Sequence, residues 1–154
     1  KEVDPTADGI VLVSTGTGIG PLYGFSQDAL ARDPKLPITL LAGFREPQDS
    51  CLRGELERLG AGHPNFQWRF SLSEPDATWA GLRGRVTETL PDLLGPVGKL
   101  HFHLVGNGNM VVELYEALML AGLRDERVTS EIYFNYPENL DRAKLEALAA
   151  RFRL

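Results

Sequence analysis

Ile10-Val11-Leu12-Val13-Ser14-Thr15-Gly16-Thr17-Gly18-Ile19-Gly20-Pro21 is the stretch on which the reading of this chain turns. Its first four residues are a short apolar run of the kind that lies in a sheet covered on both faces. Closely spaced glycines follow, and then a proline of the sort that opens a helix. A strand that ends in glycines at a helix start delivers backbone N–H groups and the positive end of the helix dipole to an anion. The stretch predicts a strand, a tight turn and a helix that together hold a phosphate.

Outward from it, strand-like and helix-like segments alternate. Strands are expected at 10–14, 38–42, 66–72, 99–105 and 128–134. Helices are expected at 22–32, where Asp33-Pro34 stops the first, and after a cap at Asp49 or Ser50, carrying Leu52, Leu56 and Leu59. Further helices are expected at 86–94, at 110–121 behind an Asn107 or Asn109 cap, and at 137–152. The loop from Ser73 to Gly84 holds Pro75 and Gly81 and is expected to be irregular. The pattern predicts an α/β fold: a doubly wound, Rossmann-like, five-stranded parallel sheet of order 3-2-1-4-5 with helices on both faces. In such a sheet ligands lie beyond the carboxyl ends of the strands, where strand order reverses. The glycine turn after the first strand and the Gly106 loop after the fourth are expected to meet there.

Composition narrows the classes. The chain has 154 residues, 43% hydrophobic and 24% charged, which suits a single domain with its own core. A net charge of -5 without a basic stripe argues against nucleic acid as a partner. No apolar run approaches the roughly 20 residues of a membrane span. The one cysteine, Cys51, fits a reducing compartment, and cytoplasm is the default expectation. His101 and His103 share a strand face, but zinc needs three or four ligands and only His63 remains, so no metal site is expected.

The glycine spacing is not the dinucleotide fingerprint GxGxxG, because the third glycine comes one residue early. Gly43-Phe44-Arg45 also stands where a ribose-binding acid would be sought. It is not a P-loop either, since no Gly-Lys-Ser/Thr follows. The Tyr-x-x-x-Lys pair of short-chain dehydrogenases is missing as well.

Thr15-Gly16-Thr17-Gly18-Ile19-Gly20-Pro21 instead resembles the TGTGIxP segment of the NAD(P)-binding domain in the ferredoxin–NADP reductase family. Gly43-Phe44-Arg45 is similar to that family's G-x-R turn. Phe70-Ser71-Leu72-Ser73 with Gly84-Arg85-Val86 resembles its strand-three serine and G-x-V segment. Leu104-Val105-Gly106-Asn107-Gly108-Asn109-Met110 resembles CGxxxM, and Ser130-Glu131-Ile132-Tyr133 the terminal E-x-aromatic. The motifs fall in family order over residues 9–135, leaving 136–154 as a C-terminal helical extension of the single domain.

The resemblance implies that Thr17, Gly18 and Ile19 cradle a pyrophosphate by their backbone, with Gly16, Gly20 and Pro21 shaping the turn and Thr15 near the nicotinamide. It implies that Arg45, Ser73, Glu74 and Arg85 meet phosphate or ribose, and that Gly106, Asn107 and Met110 line the nicotinamide side. Glu131 and Tyr133 take the catalytic positions beside a flavin, with Tyr133 stacking on its ring. Arg45 is equally consistent with a solvated loop residue. Val105 replaces the family cysteine. Glu74 stands where phosphate-selecting members carry arginine and favours NADH, while Arg83 and Arg85 pull towards NADPH.

The family's Arg-x-Tyr-Ser/Thr flavin motif does not occur in the sequence. The expectation is therefore an NAD(P)H-binding domain, inactive alone, that works with FAD held mainly by an N-terminal FAD-binding domain outside the chain. It would pass electrons to ferredoxin, flavodoxin or an oxygenase component. The alternatives are a nucleotide-binding regulatory module without redox activity, and an unrelated Rossmann-like enzyme using the 73–84 loop.

Overall fold

The computed structural model describes residues 2–134 and 139–154. Strands β1 (Gly9–Thr15), β2 (Ile38–Phe44), β3 (Phe66–Leu72), β4 (Leu82–Arg83), β5 (Leu100–Asn107) and β6 (Val128–Phe134) alternate with helices α1 (Ile19–Arg32), α2 (Arg53–Gly62), α3 (Val86–Leu93), α4 (Gly108–Leu120) and α5 (Arg142–Ala149). The strands form one sheet in the order β4-β3-β2-β1-β5-β6, and every pair is parallel. β1 is central, with Ile10 beside Ile38 and His101, and Ser14 beside Ala42 and Val105.

The period of two along each strand divides the core. Val11, Val13, Phe102 and Leu104 pack with Leu90, Leu114 and Leu118 on the face covered by α3, α4 and α5. Ile10, Leu12, Leu40 and Phe70 pack with Leu22, Leu30 and Leu56 on the face covered by α1 and α2. Both faces are apolar, so the strands read as continuous hydrophobic runs. Among the described residues no helix is long and apolar enough to cross a membrane.

Three expectations are corrected. The sheet has six strands, not five, because Leu82 and Arg83 pair with Ser71 and Leu72 inside the loop expected to be irregular. What holds them is side chain to backbone bonding that periodicity does not reveal. Ser71 Oγ donates to the Gly84 carbonyl at 2.6 Å, and Trp79 Nε1 donates to the Leu82 carbonyl at 2.9 Å. Secondly, neither Asp49 nor Ser50 caps α2. Pro47–Asp49 is a 3-10 turn, and Leu52 enters the left-handed region at φ 63 before α2 begins at Arg53. A leucine there costs on the order of 1–3 kcal/mol. Opposing that cost, Leu52 packs on the α1–α2 core, and the Arg53 guanidinium lies 4.9 Å from the Phe70 ring centre and 5.6 Å from that of Trp79.

Thirdly, the last helix is Arg142–Ala149, shorter than the expected 137–152; Pro137 and Glu138 lie outside the described residues. Asp141 caps it by accepting the Lys144 N–H. Leu145, Ala149 and Phe152 are buried against the α3–α4 layer, and the Arg153 carbonyl accepts the Val97 N–H at 2.6 Å. Through these residues the described end of the extension is part of the core. Phe152→Ala is expected to cost about 3 kcal/mol, read from the urea unfolding midpoint; a loss under about 1 kcal/mol would show that α5 contributes little to the fold.

Candidate functional site

The carboxyl ends of β1, β2, β3 and β5 open onto a cavity of about 430 Å³. It lies where the order reverses, since β1 is followed in the sheet by β2 on one side and β5 on the other. The turn after β1 supplies Thr15, Gly16 and Thr17, and the end of β2 supplies Gly43, Phe44 and Arg45. Ser73, Arg85, Asn107 and Met110 complete the wall from β3, the start of α3 and the start of α4.

Three close approaches build the site. Gly106 has φ +136, and a Cβ on it would lie 2.4 Å from Thr15 Oγ1. A Cβ on Gly18 would lie 2.6 Å from the Val105 carbonyl oxygen, and one on Gly43 2.6 Å from Val86 Cγ1. Across the first of these contacts the Asn107 N–H donates to Thr15 Oγ1 at 2.9 Å. Asn107 Oδ1 in turn accepts the Asn109 N–H at 2.8 Å and caps α4. The two distant loops are therefore one junction, as the sheet topology led us to expect.

The turn itself, Gly16–Gly18, is a 3-10 turn running into α1, and neither helix start carries a side-chain cap. Helix starts leave N–H groups without an intrahelical acceptor, which suits an anion. Ile19 departs from its expected role, since its N–H turns back to the Gly16 and Thr17 carbonyls and its side chain is buried. Gly20 has nothing within 4 Å of where a Cβ would stand. Pro21 sits in the first turn of α1, where its missing N–H leaves no helical bond unmade.

The cations on the wall are balanced. Arg45 lies 3.8 Å from Glu74, both well exposed, and Arg85 lies 3.8 Å from the less exposed Glu113 of α4. Ser73 and Glu74 are brought beside Arg45 because their N–H groups extend the β2–β3 ladder, donating to the Phe44 and Arg45 carbonyls at 3.0 and 2.7 Å. Glu74 itself does not line the cavity; it faces Arg45, which does.

Glu131 and Tyr133 are not brought into this cavity. Glu131 lines a groove beside α1 with His103 and Phe25, while Tyr133 and Phe134 are 43% and 47% exposed on the outermost strand. Behind Glu131, the Asp4 N–H donates to His101 Nδ1 at 3.2 Å. His101 Nε2 and His103 Nδ1 both meet Thr129 Oγ1, at 3.0 and 2.7 Å. Burial pushes the His103 pKa down, opposed by the nearby Glu131 carboxylate. The shared face of the two histidines is thus used to bond Thr129. Val105 is fully buried in the α1–α2 core and does not line the cavity.

Sequence reasoning missed Cys51, Asp49 and Thr87 on the wall. Cys51 directly precedes the left-handed Leu52, for which the local sequence holds no signal. Thr87 could have been found, since it follows the G-x-V start of α3.

Residues 12–114 match the family model described as the oxidoreductase NAD-binding domain. The chain is 32% identical over 83 residues to ferredoxin–NADP reductase B of Sorangium cellulosum, a match spanning 54% of this chain and 34% of that protein. It is 36% identical over 110 residues to the NADH-cytochrome b5 reductase-like protein alnC of Emericella nidulans, spanning 70% of this chain and 23% of that one. Among solved structures, the Amycolatopsis cytochrome P450 reductase GcoB superposes with a TM-score of 0.76 at 26% identity, over 86% of this chain and 38% of its own. The matches thus span about a third or less of the curated relatives' length.

The junction predicts a contrast between two glycines. Gly106→Ala is expected to destabilise the chain by about 2 kcal/mol or more, through the clash and the positive φ. Gly20→Ala is expected to stabilise it by up to about 1 kcal/mol, because alanine is the better helix former and meets nothing. Paired chemical denaturation curves check this, and equal effects would overturn the account of the turn.

Proposed function

Because the chain belongs to the oxidoreductase NAD-binding domain family, we propose that it is the pyridine-nucleotide half of an FAD-dependent reductase. The observation that carries this is the uncapped Gly16–Gly18 turn opening into a cavity whose wall also holds the β2, β3 and β5 loop residues expected to meet a dinucleotide. The residues present fit such a ligand, for an uncapped helix start meets an anion and the Gly106 junction keeps side chains off the approach.

NAD(P)H, when bound, supplies a hydride from its nicotinamide. The chain's own part is to bind and orient. The N–H groups of the Gly16–Gly18 turn hold the pyrophosphate, aided by the dipole of α1. Thr15, Gly106, Asn107 and Met110 shape the nicotinamide side, and Thr15 is locked there by the Asn107 N–H. Tyr133, exposed at the end of β6, offers a flat ring to a flavin carried by a separate FAD-binding domain, with Glu131 close by. An acceptor such as ferredoxin, flavodoxin or an oxygenase component would take the electrons onward.

NADH is the preferred nucleotide in this reading. Arg45 and Arg85, the arginines on the cavity wall, each already face a carboxylate, so an added 2′-phosphate meets balanced charge.

Two outcomes follow. Joined to a family flavin barrel, the chain is expected to bleach flavin absorbance on addition of NADH; tight NADH binding without bleaching would make it a nucleotide-binding module instead. Glu74→Arg is expected to raise NADPH affinity relative to NADH by up to about fivefold, the modest size reflecting the exposure of the pair. An unchanged ratio in titration calorimetry would remove Glu74 from the specificity account.

A further inference from the structure

Each face of the sheet carries a further hollow. A second cavity, of about 370 Å³, is closed by α5 against α3 and α4. On the opposite face a groove of about 600 Å³ runs between α1, the N-terminal segment and the strands β5 and β6. His103 and Glu131 both line this groove, and neither the nucleotide nor the flavin reading uses the histidine.

The ring of His103 ends a hydrogen-bonded chain whose direction is fixed. The Asp4 N–H donates to His101 Nδ1 at 3.2 Å, so the buried His101 carries its proton on Nε2. That proton goes to Thr129 Oγ1 at 3.0 Å. Having accepted there, the Thr129 hydroxyl gives its own hydrogen to His103 Nδ1 at 2.7 Å. The neutral His103 therefore keeps its proton on Nε2. The start of the chain is anchored, since the Asp4 carboxylate lies 3.4 Å from Arg127 and 3.6 Å from Arg124. At the other end Phe25 of α1 stacks on the His103 ring, with 5.7 Å between centres.

Glu131 stands next to that ring. His103 is level with Thr129 in the β5–β6 ladder, and Glu131 lies two residues further along β6, on the same face as Thr129. Among the described residues no ion pair holds its carboxylate. Tyr133 lies beyond it at the end of the strand.

We propose that His103 is the positioning residue of Glu131: protonated, it holds the carboxylate in the groove, and neutral, it releases it towards the end of β6. The proposal rests on the flavin role given to Glu131 above. Thr129 is what lets the ring charge in place. When Nδ1 gains a proton, the hydroxyl accepts from both rings and turns its hydrogen to the Phe102 carbonyl, 3.4 Å away. No bond of the sheet has to break. The charged groups around the ring are Glu2 of the N-terminal segment, Asp28, Arg32 and Asp33 from α1 and its end, and Glu131 of β6. Carboxylates outnumber the single guanidinium, so an imidazolium formed there finds acceptors. Burial of the ring keeps its pKa below the ordinary histidine range, opposed by Glu131. At neutral pH the ring is therefore uncharged, and acidification below about 6.5 engages Glu131.

NMR titration of the full chain from about pH 8 to about pH 5 follows the His103 ring and the Glu131 Cδ, and needs no variant. The expected result is one midpoint, below about 6.5, shared by both signals. In His103→Asn the side-chain oxygen still accepts from Thr129 but nothing titrates, and the Glu131 step at that midpoint is expected to vanish. A Glu131 signal that ignores His103, or that keeps its step in His103→Asn, would overturn the proposal. Joined to a family flavin barrel, the chain gives a second readout. Flavin bleaching by NADH is expected to slow about threefold below the same midpoint, and His103→Asn to lose that dependence. A pH dependence unchanged in His103→Asn would also overturn it. Bleaching absent at every pH would overturn the flavin reading instead, and the shared midpoint alone would then decide whether His103 holds Glu131.

Discussion

The contact between Thr15 and the Gly106-Asn107 backbone is the constraint on which the site depends. It joins the end of β1 to the end of β5, the place where the sheet changes direction, through one hydrogen bond of 2.9 Å and a separation that admits no Cβ. A crevice at a switch point exists in any doubly wound sheet. What makes this one a defined cavity is that its two lips are locked together, so the Gly16–Gly18 turn and the start of α4 hold fixed positions relative to each other. Gly18 against the Val105 carbonyl and Gly43 against Val86 repeat the device on either side. In each case the absence of a side chain brings backbone to a neighbouring element.

Electrostatics then tune what the geometry frames. A net charge of -5 would make the molecule a poor host for a polyanion. The uncapped turn answers this locally with partial charges fixed in the backbone, while Arg45 and Arg85 are each balanced by a carboxylate. In the proposed reading, a pyrophosphate is held there through hydrogen bonds rather than through surplus positive charge, and additional phosphate is left without reward. The two faces of the sheet also divide the work. Glu131, His103 and Thr129 face α1, whereas the α3–α4–α5 layer encloses the second cavity.

Much of the fold was legible because the strands are covered on both faces. The spans 66–72 and 128–134 coincide with β3 and β6. The ends of β1, β2 and β5 run a residue or two further than their apolar runs, since ladder bonding continues where side chains turn polar or vanish. β4 was not legible, because two residues carry no period and side chain to backbone bonds hold them. Of the candidate site, Thr15, Gly16, Thr17, Arg45, Ser73, Arg85, Asn107 and Met110 do share one cavity. Gly18, Ile19, Gly20, Pro21, Glu74 and Gly106 do not line it: Gly18 and Gly106 are packed against the Val105 carbonyl and Thr15, Ile19 is turned inward, Gly20 faces open space, and Glu74 is exposed beside Arg45.

The sequence by itself determined the parallel α/β class, the glycine turn at the end of β1 and the family, because apolar period, glycine spacing and motif order are local properties carried along the chain. The tertiary structure alone decided that Leu52 turns left-handed, that Cys51 stands on the cavity wall, that Glu113 of α4 balances Arg85, and that α5 folds back to close a second cavity. Those facts depend on which helix lies over which strand end. Contacts of that kind join residues far apart in the chain, and no local pattern records them.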